Sequence, residues 1–406
     1  MEFRNRQLAN GLTIVSEIND SAKSAAVGFF VKTGSRDENN NINGASHFLE
    51  HMLFKGTGKL NAFEVNEAFD RTGAKFNAFT SEENTVFYAA VLPEYLLEVT
   101  GLWIELMRPA LRNEDFEIEK NVIKEEIAMY KDLPNYDVLE KCRSLHFDGH
   151  PCGNSVLGTE KSIDDLTANQ MRDYFGSRYV PNNMVLACAG RLKWEHFCQT
   201  VENSCGKWQQ HKVERNLQPC AGSKKTKRLE KSSLAREHIC LMSPAVSADD
   251  PRRFAGSLLS SIIGDDVGSR FFWELVDKAL AETATMQLSA MEGTGVFYSY
   301  IRCGQEGATK VLDIVKQIFG RLLHEGVSQD ELTKAKNKAL SALVIKNELP
   351  MGRLVDLGFN WIYLGKYRPI ADDINAIKAV TVEEVNRLIK QLKPGDFTQF
   401  SIGPAK

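Results

Sequence analysis

The second half of this chain repeats a pattern found in the first half. The strand-like run Thr85–Tyr88 is followed by a long helical stretch, and the similar run Gly295–Tyr298 stands 210 residues later, before another helical stretch at 309–323. A repeat of this length predicts two similar units. Runs of strands followed by runs of helices are typical of an α+β fold. We therefore predict two similar α+β domains, each an antiparallel β-sheet with helices packed on one face.

A polar, basic segment divides the two repeats. Residues 222–237 contain many Lys, Arg and Ser residues and no aromatic residue. Such a stretch is more typical of a solvated linker than of a nucleic-acid site, where aromatic side chains alternate with basic ones. The predicted organisation is a first domain at 1–215, a linker at 216–237 and a second, structurally similar domain at 238–406.

The first repeat contains the pattern H-x-x-E-H, formed by His47, Glu50 and His51. On a helix, residues three and four apart share one face, so these three side chains project together. Two imidazoles at this spacing suit tetrahedral zinc, which binds them at ~2.0–2.1 Å. Such a site needs a third protein ligand. The alternative is a chance match on a buried helix.

A second helical stretch, Phe116–Tyr130, has no Gly or Pro and places Glu119 and Glu126 in the middle of its apolar arc, opposite Glu125. Burying an ionised carboxylate costs several kcal/mol unless it is paired or binds a metal. A metal ligand with a supporting carboxylate would meet this need, and so would two buried salt bridges. The residues expected to be buried on this arc are Phe116, Ile118, Val122, Ile123, Ile127, Met129 and Tyr130.

An H-x-x-E-H pattern followed at a distance by Glu resembles the inverzincins, the pitrilysin-like metallopeptidases that include insulysin and the mitochondrial processing peptidase. Between His51 and Glu126 lie 74 residues, which matches the family's spacing, and the likeness extends through 75–94 and 146–192. The resemblance implies a zinc endopeptidase. It further implies that His47, His51 and Glu126 bind one Zn²⁺ per chain, that Glu50 is the catalytic base and that Glu119 is an additional catalytic acidic residue.

A hairpin follows the first motif, with strands at Lys75–Thr80 and Thr85–Leu92 and a turn at 81–84. In the family, the first such strand is the edge to which a peptide substrate adds through main-chain hydrogen bonds. The resemblance therefore implies substrate contacts along this strand, although an ordinary sheet strand would have the same sequence pattern. The implied contact residues are Asn77, Ala78, Phe79 and Thr80.

The second repeat lacks the motif, because the 210-residue offset carries His47, Glu50 and His51 onto Ser257, Ser260 and Ser261. Many family members also carry, in this half, an Arg and a Tyr seven positions apart that contact the substrate. The matching positions here are Asp277 and Ala284.

The family builds a closed chamber from two half-clam units, so the resemblance implies peptide substrates and a homodimer or a heterodimer with a related subunit. The alternative function is a structural or binding subunit of such an assembly.

The composition bears on the partners of the protein and on the compartment in which it occurs. The net charge of −3 gives no indication of nucleic-acid binding, and there is no apolar run of 18 residues and no signal or transit pattern at the start. These features predict a cytoplasmic protein that does not enter membranes. The eight cysteines have no C-x-x-C spacing, which argues against a thiolate zinc site and favours reduced thiols. We expect His146 and His150, beside Asp148, Gly149 and Pro151, to be loop or structural histidines.

Overall fold

The computed structural model describes residues 1–218 and 220–405, which form two compact units. The first unit contains Met1–Ile127, Asn154–Asn216 and Val344–Pro369, whereas the second contains Ala128–Gly153, Leu217–Leu343 and the chain from Ile370 onward. Each unit therefore combines segments from both halves of the sequence. None of the helices within the described residues is long and apolar enough to cross a membrane.

A mixed six-stranded sheet forms the base of the first unit. Its strands are β1 (Glu2–Gln7), β2 (Thr13–Ile18), β3 (Ala25–Val31), β4 (Lys75–Thr80), β5 (Thr85–Val91) and β6 (Met184–Gly190). The spatial order is β1-β2-β6-β3-β5-β4. Only β2 and β6 run parallel to each other, and the remaining neighbours are antiparallel. Strand β4 is thus an edge strand of this sheet.

Helices of the first half cover one face of this sheet. Aromatic side chains fill the space between them and the strands; Trp103, for example, contacts Phe54, Phe69 and Phe87 with ring centroids 4.8–6.0 Å apart. The helices of the first half of the chain are α1 (Ala45–Phe54), α2 (Ala62–Arg71), α3 (Leu96–Leu106), α4 (Asn113–Asp132), α5 (Pro134–Phe147), α6 (Glu160–Asp165), α7 (Ala168–Arg178) and α8 (Trp194–Cys205). All of them except α5 lie wholly or mainly in the first unit.

The second half of the chain repeats this order of elements. Its members are β7 (Thr226–Glu230), β8 (Glu237–Pro244), α9 (Arg253–Gly264), β9 (Ala281–Met291), β10 (Thr294–Cys303), α10 (Ala308–Glu325), α11 (Gln329–Lys346), α12 (Pro350–Leu364), α13 (Ile370–Ala379), α14 (Val382–Leu392) and β11 (Thr398–Gly403). The sheet order β7-β11-β8-β10-β9, with β7 parallel to β11, reproduces β2-β6-β3-β5-β4. The α+β fold class and the predicted internal repeat are confirmed.

The two halves exchange one equivalent helix. Helix α5 packs on the sheet of the second unit, where Val138 and Cys142 meet Cys240, Met242 and Ile402. Helix α12 packs on the sheet of the first unit through Leu354 and Leu357. Both helices begin at the proline of a Leu-Pro pair, at 133–134 and 349–350. The second face of each sheet is therefore covered by a helix from the other half, an exchange that the predicted contiguous division at 215 and 238 does not include.

Part of the predicted linker is a strand. Within 216–237, residues 226–230 form β7, which pairs in parallel with β11 at the edge of the second sheet. The prediction failed because the strand is mostly polar: four of its five residues are exposed. An exposed edge strand does not show the hydrophobic alternation by which strands are recognised in a sequence. Residue 219 of the predicted linker lies outside the described residues.

Candidate metal centre

Helix α1 carries His47, Glu50 and His51, and its start is fixed by a carboxylate from outside the helix. Gly44 at the N-cap has φ +95°, and a Cβ there would lie 2.8 Å from the Leu157 carbonyl oxygen. Because glycine has no capping side chain, Glu38 takes this role: its Oε2 accepts the Gly44 N–H at 2.7 Å and its Oε1 the Ser46 N–H at 2.6 Å. Burial raises the pKa of Glu38 to about 8.

Helix α4 packs beside α1, with the Phe116 ring stacked on Phe48 at a centroid distance of 4.8 Å. Its buried stripe contains Phe116, Glu119, Ile123 and Ile127. The prediction that Ile118, Val122 and Met129 are also buried is wrong, since they are 61%, 43% and 51% exposed. The apolar arc of α4 is wider than the single stripe that a helix packs against a core, so its margin stays in solvent.

His47, His51 and Glu126 come together at the junction of α1 and α4. One donor atom from each lies within 4.8 Å of the others, and within the described residues these three form the one such group of His, Cys, Asp and Glu side chains. Glu126 Oε2 lies 3.7 Å from His47 Nε2 and 3.5 Å from His51 Nε2. Tetrahedral zinc with ligands at ~2.0–2.1 Å would place them roughly 3.3 Å apart. The spacing and the chemistry of the donors therefore fit zinc, with a fourth position left open.

The pKa values of His47 and His51, which decide whether each ring is free to bind a metal, are shifted in opposite directions. Burial, followed by the proximity of His51, lowers the pKa of His47 to about 3, so the ring is neutral and able to ligate. Its Nδ1 is buried with no hydrogen-bond partner within the described residues. Burial also lowers the pKa of His51, but the hydrogen bond with Glu119 and the nearby carboxylates outweigh it, and the net pKa is raised. Binding of a metal at His51 would therefore be coupled to the loss of a proton.

Glu119 orients one histidine and does not join the three donors. Its Oε1 lies 2.8 Å from His51 Nδ1, which turns the Nε2 of that ring toward Glu126. Lys55 Nζ lies 2.5 Å from the other oxygen of Glu119. Burial raises the pKa of Glu119, but the hydrogen bonds from His51 and Lys55 outweigh it, so the net pKa is lowered. The sequence signal for Lys55 is its place four residues after His51, on the same helix face.

Glu50 lies beside the donor group and is held by the hairpin. Thr80 Oγ1, at the end of β4, donates a hydrogen bond to Glu50 Oε2 at 2.6 Å. Burial raises the pKa of Glu50, and this hydrogen bond opposes part of the rise. Of the other predicted contact residues on β4, Asn77 is exposed, Phe79 is half-buried and Ala78 is buried. One edge of β4 pairs with β5 in register, and no other strand within the described residues pairs with its free edge.

The equivalent place in the second half has no metal ligands. Helix α9 carries Ser257, Ser260 and Ser261, and alignment of the two Leu-Pro pairs, 216 residues apart, puts Ala335 and Ala342 of α11 at the positions of Glu119 and Glu126. Asp277 ends a π-helical turn, and Ala284 is buried in β9. Their correspondence to the family's Arg and Tyr stays a prediction.

The two remaining predicted histidines lie in the second unit. His146 is buried in the last turn of α5, its Nδ1 lies 3.1 Å from Thr398 Oγ1, and burial lowers its pKa to about 4. His150 follows the helix, with its Nε2 2.8 Å from the Gln218 carbonyl oxygen. Both rings are held by contacts within this unit.

Comparison with known proteins agrees with the arrangement of the two halves. Residues 13–160 match the family model "Insulinase (Peptidase family M16)", and residues 165–339 match "Peptidase M16 inactive domain". The uncharacterized zinc protease YmxG of Bacillus subtilis is 31% identical over 98% of this chain and 97% of its own length. An uncharacterized zinc protease of Streptomyces coelicolor is 30% identical over 99% and 90%.

Solved structures show the same fold. A protease from Helicobacter pylori superimposes with a TM-score of 0.92 at 21% identity, covering 99% of this chain and 100% of that one. A putative M16-like peptidase from Alicyclobacillus acidocaldarius gives 0.87 at 19% identity, covering 100% and 98%. With two halves of one topology, a His-His-Glu donor group in the first half only, and relatives that match over nearly the whole length, the chain belongs to peptidase family M16.

Proposed function

We propose that this protein is a zinc-dependent endopeptidase that hydrolyses peptides or small unfolded proteins. The observation that carries this proposal is the donor group of His47, His51 and Glu126, with Glu50 beside it on α1. Three protein ligands that leave a fourth position open are typical of catalytic rather than structural zinc. The names of the relatives, several of them zinc proteases, support the same function.

Each side chain has a separate task in this reaction. Zinc, when bound, would polarise the scissile carbonyl and make the attacking water more acidic. Glu50 takes the proton from that water and later passes it to the leaving amine. Its raised pKa suits a group that must accept a proton and then release it. Glu119 keeps His51 in the orientation and tautomer that ligation needs.

The free edge of β4 is the proposed binding place of the peptide. An extended segment that adds to this edge gains main-chain hydrogen bonds regardless of its sequence. Thr80, at the end of the strand, is hydrogen-bonded to Glu50, so a paired peptide would run past the base. This geometry favours unfolded or extended substrates, because a folded protein has few unpaired strands to offer.

The test is Glu50→Gln. The amide cannot accept the proton, so peptide hydrolysis should be abolished while zinc remains bound, measured by metal analysis and digestion of a mixed peptide pool. Glu105→Gln is the matched control, because Glu105 also accepts a threonine hydroxyl, from Thr57 at 2.9 Å, and belongs to no donor group. Substantial hydrolysis by zinc-loaded Glu50→Gln protein would remove Glu50 from the mechanism.

The residues at 277 and 284 favour a second chain in the active assembly. Asp277 and Ala284 supply no cation or phenol to the oxyanion, and removal of one such donor typically costs ~10²–10³ in rate. We propose a closed chamber with a second copy or with a related subunit that carries Arg and Tyr, or, as the alternative function, a binding subunit with weak activity of its own. Sedimentation with peptidase assays tests this, and a strictly monomeric protein with full activity on large peptides would contradict it.

A further inference from the structure

The face of β4 that carries Thr80 packs on helices rather than facing a bound peptide. Alternate strand residues point to opposite sides of a sheet. Phe76 contacts Phe69 and Trp103 beneath the helices, and Ala78 belongs to the same core. Thr80 is the next residue on this face and meets Glu50 of α1. The side chain of Thr80 therefore belongs to the surroundings of Glu50, and only its main chain lies on the free edge.

The hydroxyl proton of Thr80 has one available acceptor of good geometry. Thr85 Oγ1 lies 3.4 Å from Thr80 Oγ1, whereas Glu50 Oε2 lies only 2.6 Å away. Thr85 uses its own proton on the Thr33 carbonyl oxygen, at 3.0 Å. A hydroxyl has one proton to donate, so Thr80 gives it to Glu50. Within the described residues, the second oxygen of Glu50 receives no hydrogen bond that would compete with a water.

The turn that follows Thr80 is fixed by buried ionic contacts. Glu83, in this turn, contacts the Arg36 guanidinium, and Tyr363 of α12 donates to Glu83 Oε2 at 2.9 Å. Asn84 Nδ2 in turn donates to the Tyr363 hydroxyl at 2.8 Å. These contacts tie the β4–β5 turn to α12. The end of β4 that carries Thr80 is thus anchored by contacts that do not involve Glu50 itself.

We propose that Thr80 is a positioning residue that fixes the carboxylate of Glu50, so that its free oxygen faces the attacking water. The inference rests on the proposed peptidase function. It gives one strand two tasks: the main chain of β4 aligns the peptide, and the last side chain of β4 aligns the base. The base and the scissile bond are therefore placed from the same strand, which is the kind of arrangement that oriented catalysis needs.

The first test compares Thr80→Val with Thr80→Ser in the zinc-loaded protein. Valine keeps the shape but loses the donor, so kcat should fall by ~10–100-fold, the usual effect of losing a supporting hydrogen bond, with KM and zinc affinity unchanged. Serine should restore most of the activity. Thr57→Val, which removes the similar bond to Glu105, is the control and should leave kcat unchanged. A loss confined to KM, a loss of zinc, or equal losses in the Val and Ser variants would overturn the proposal.

A second test does not depend on activity. Urea unfolding of the metal-free wild type, Thr80→Val, Glu50→Ala and the double variant forms a double-mutant cycle. If the two side chains interact, the midpoint shift caused by Thr80→Val should shrink when Glu50 is Ala, whereas additive shifts would contradict the contact. If the wild type hydrolyses no peptide at all, the peptidase proposal fails, and this cycle still decides whether Thr80 holds Glu50.

Discussion

Two glutamates on α4, seven residues apart, make different contacts with the histidines of α1. Glu126 turns one oxygen toward both histidines, at 3.5 and 3.7 Å, whereas Glu119 reaches only the far nitrogen of His51. Lys55 adds a cation to Glu119. A pair of buried salt bridges, the alternative considered for these two carboxylates, thus describes Glu119 in part. Glu126 differs in that one of its oxygens faces the nitrogens of two histidines at ion-pair distance but beyond ordinary hydrogen-bond distance, which leaves room for an ion between them.

The metal site can be tested with two adjacent residues of α4. Glu126→Ala should reduce zinc affinity by more than the ~10–100-fold typical of losing an outer partner, because it removes a ligand. Glu125→Ala should leave zinc affinity unchanged, since Glu125 is exposed on the other side of the helix. Calorimetric zinc titration of both variants is the measurement. The reverse order would refute the assignment of α4 to the metal site.

Helical spacing predicted that His47, Glu50 and His51 share one face of α1 and that Glu119 and Glu126 share one face of α4, and the family resemblance then selected Glu126 as the third donor. His47, Glu50 and His51 share a helix face whatever surrounds them, and buried carboxylates on α4 indicate a cation in any fold. The roles of Thr80 and Glu38 could not be predicted, because their contacts with α1 join segments 30 and 8 residues apart through the packed structure. For the same reason the sequence assigned Thr80 to the substrate alone.

At the scale of elements, α1 depends on the buried carboxylate at its start. Glu38 satisfies two N–H groups that have no partner within the helix, and when it is ionised its negative charge lies at the positive end of the helix dipole. Burial nevertheless raises its pKa to about 8, so folding favours the protonated form. The start of the helix that carries His47, Glu50 and His51 is therefore sensitive to pH.

The contribution of Glu38 to the free energy of unfolding should decrease as the pH rises. Because the folded pKa of Glu38, about 8, is above its ordinary value of 4.5, its contribution is fully present below pH 4.5 and is lost as the pH rises toward 8. In the metal-free protein, the free energy of unfolding of wild type relative to Glu38→Gln should fall by roughly 3–5 kcal/mol across that window, at about 1.4 kcal/mol per pKa unit. Urea unfolding at a series of pH values measures it.

The matched variant for this measurement is Glu64→Gln, which changes a capping carboxylate at the exposed start of α2. It separates the loss of a capping hydrogen bond from the burial of a charge. A difference between wild type and Glu38→Gln that stays constant from pH 5 to 8 would show that Glu38 does not take up a proton on folding.

Local signals predicted most strands and helices near the site but not all of their surfaces. Strands β4 and β5 and the turn between them lie where the sequence places them, because hydrophobic alternation and turn residues act within a few residues. The exposure of Ile118, Val122 and Met129 was not predicted, since a helical wheel shows which residues share a face but not how much of that face a neighbour covers.

For the whole molecule, the exchanged helices make each half incomplete by itself. A fragment of residues 1–215 would lack Leu354 and Leu357, whose burial contributes ~1.5–3 kcal/mol each. It would also lack Arg353, which donates two hydrogen bonds to buried Glu17, and leaving such a charge unpaired costs about 3–5 kcal/mol. These losses are comparable to the total stability of a typical domain.

We therefore expect the 1–215 fragment to bind the dye ANS and to lack a cooperative unfolding transition. Addition of a peptide spanning 344–369 should restore a transition, because it supplies α12. The same peptide with Leu354→Asp and Leu357→Asp should not, since charged side chains cannot enter that apolar face. Calorimetry and ANS fluorescence are the measurements. A fragment that unfolds cooperatively without the peptide would contradict the importance of the exchange.

The position of α12 in the chain also determines when the first unit can complete its folding during synthesis. Chains leave the ribosome from the N-terminus, and domains generally fold as they emerge. All three proposed ligands of this protein emerge early, but the helix that covers the back of their sheet ends only at Leu364. One apolar face of the first sheet therefore stays exposed in the nascent chain until most of the second half has been translated. Truncated products would accordingly be targets for chaperones and quality-control proteases rather than free-standing peptidases.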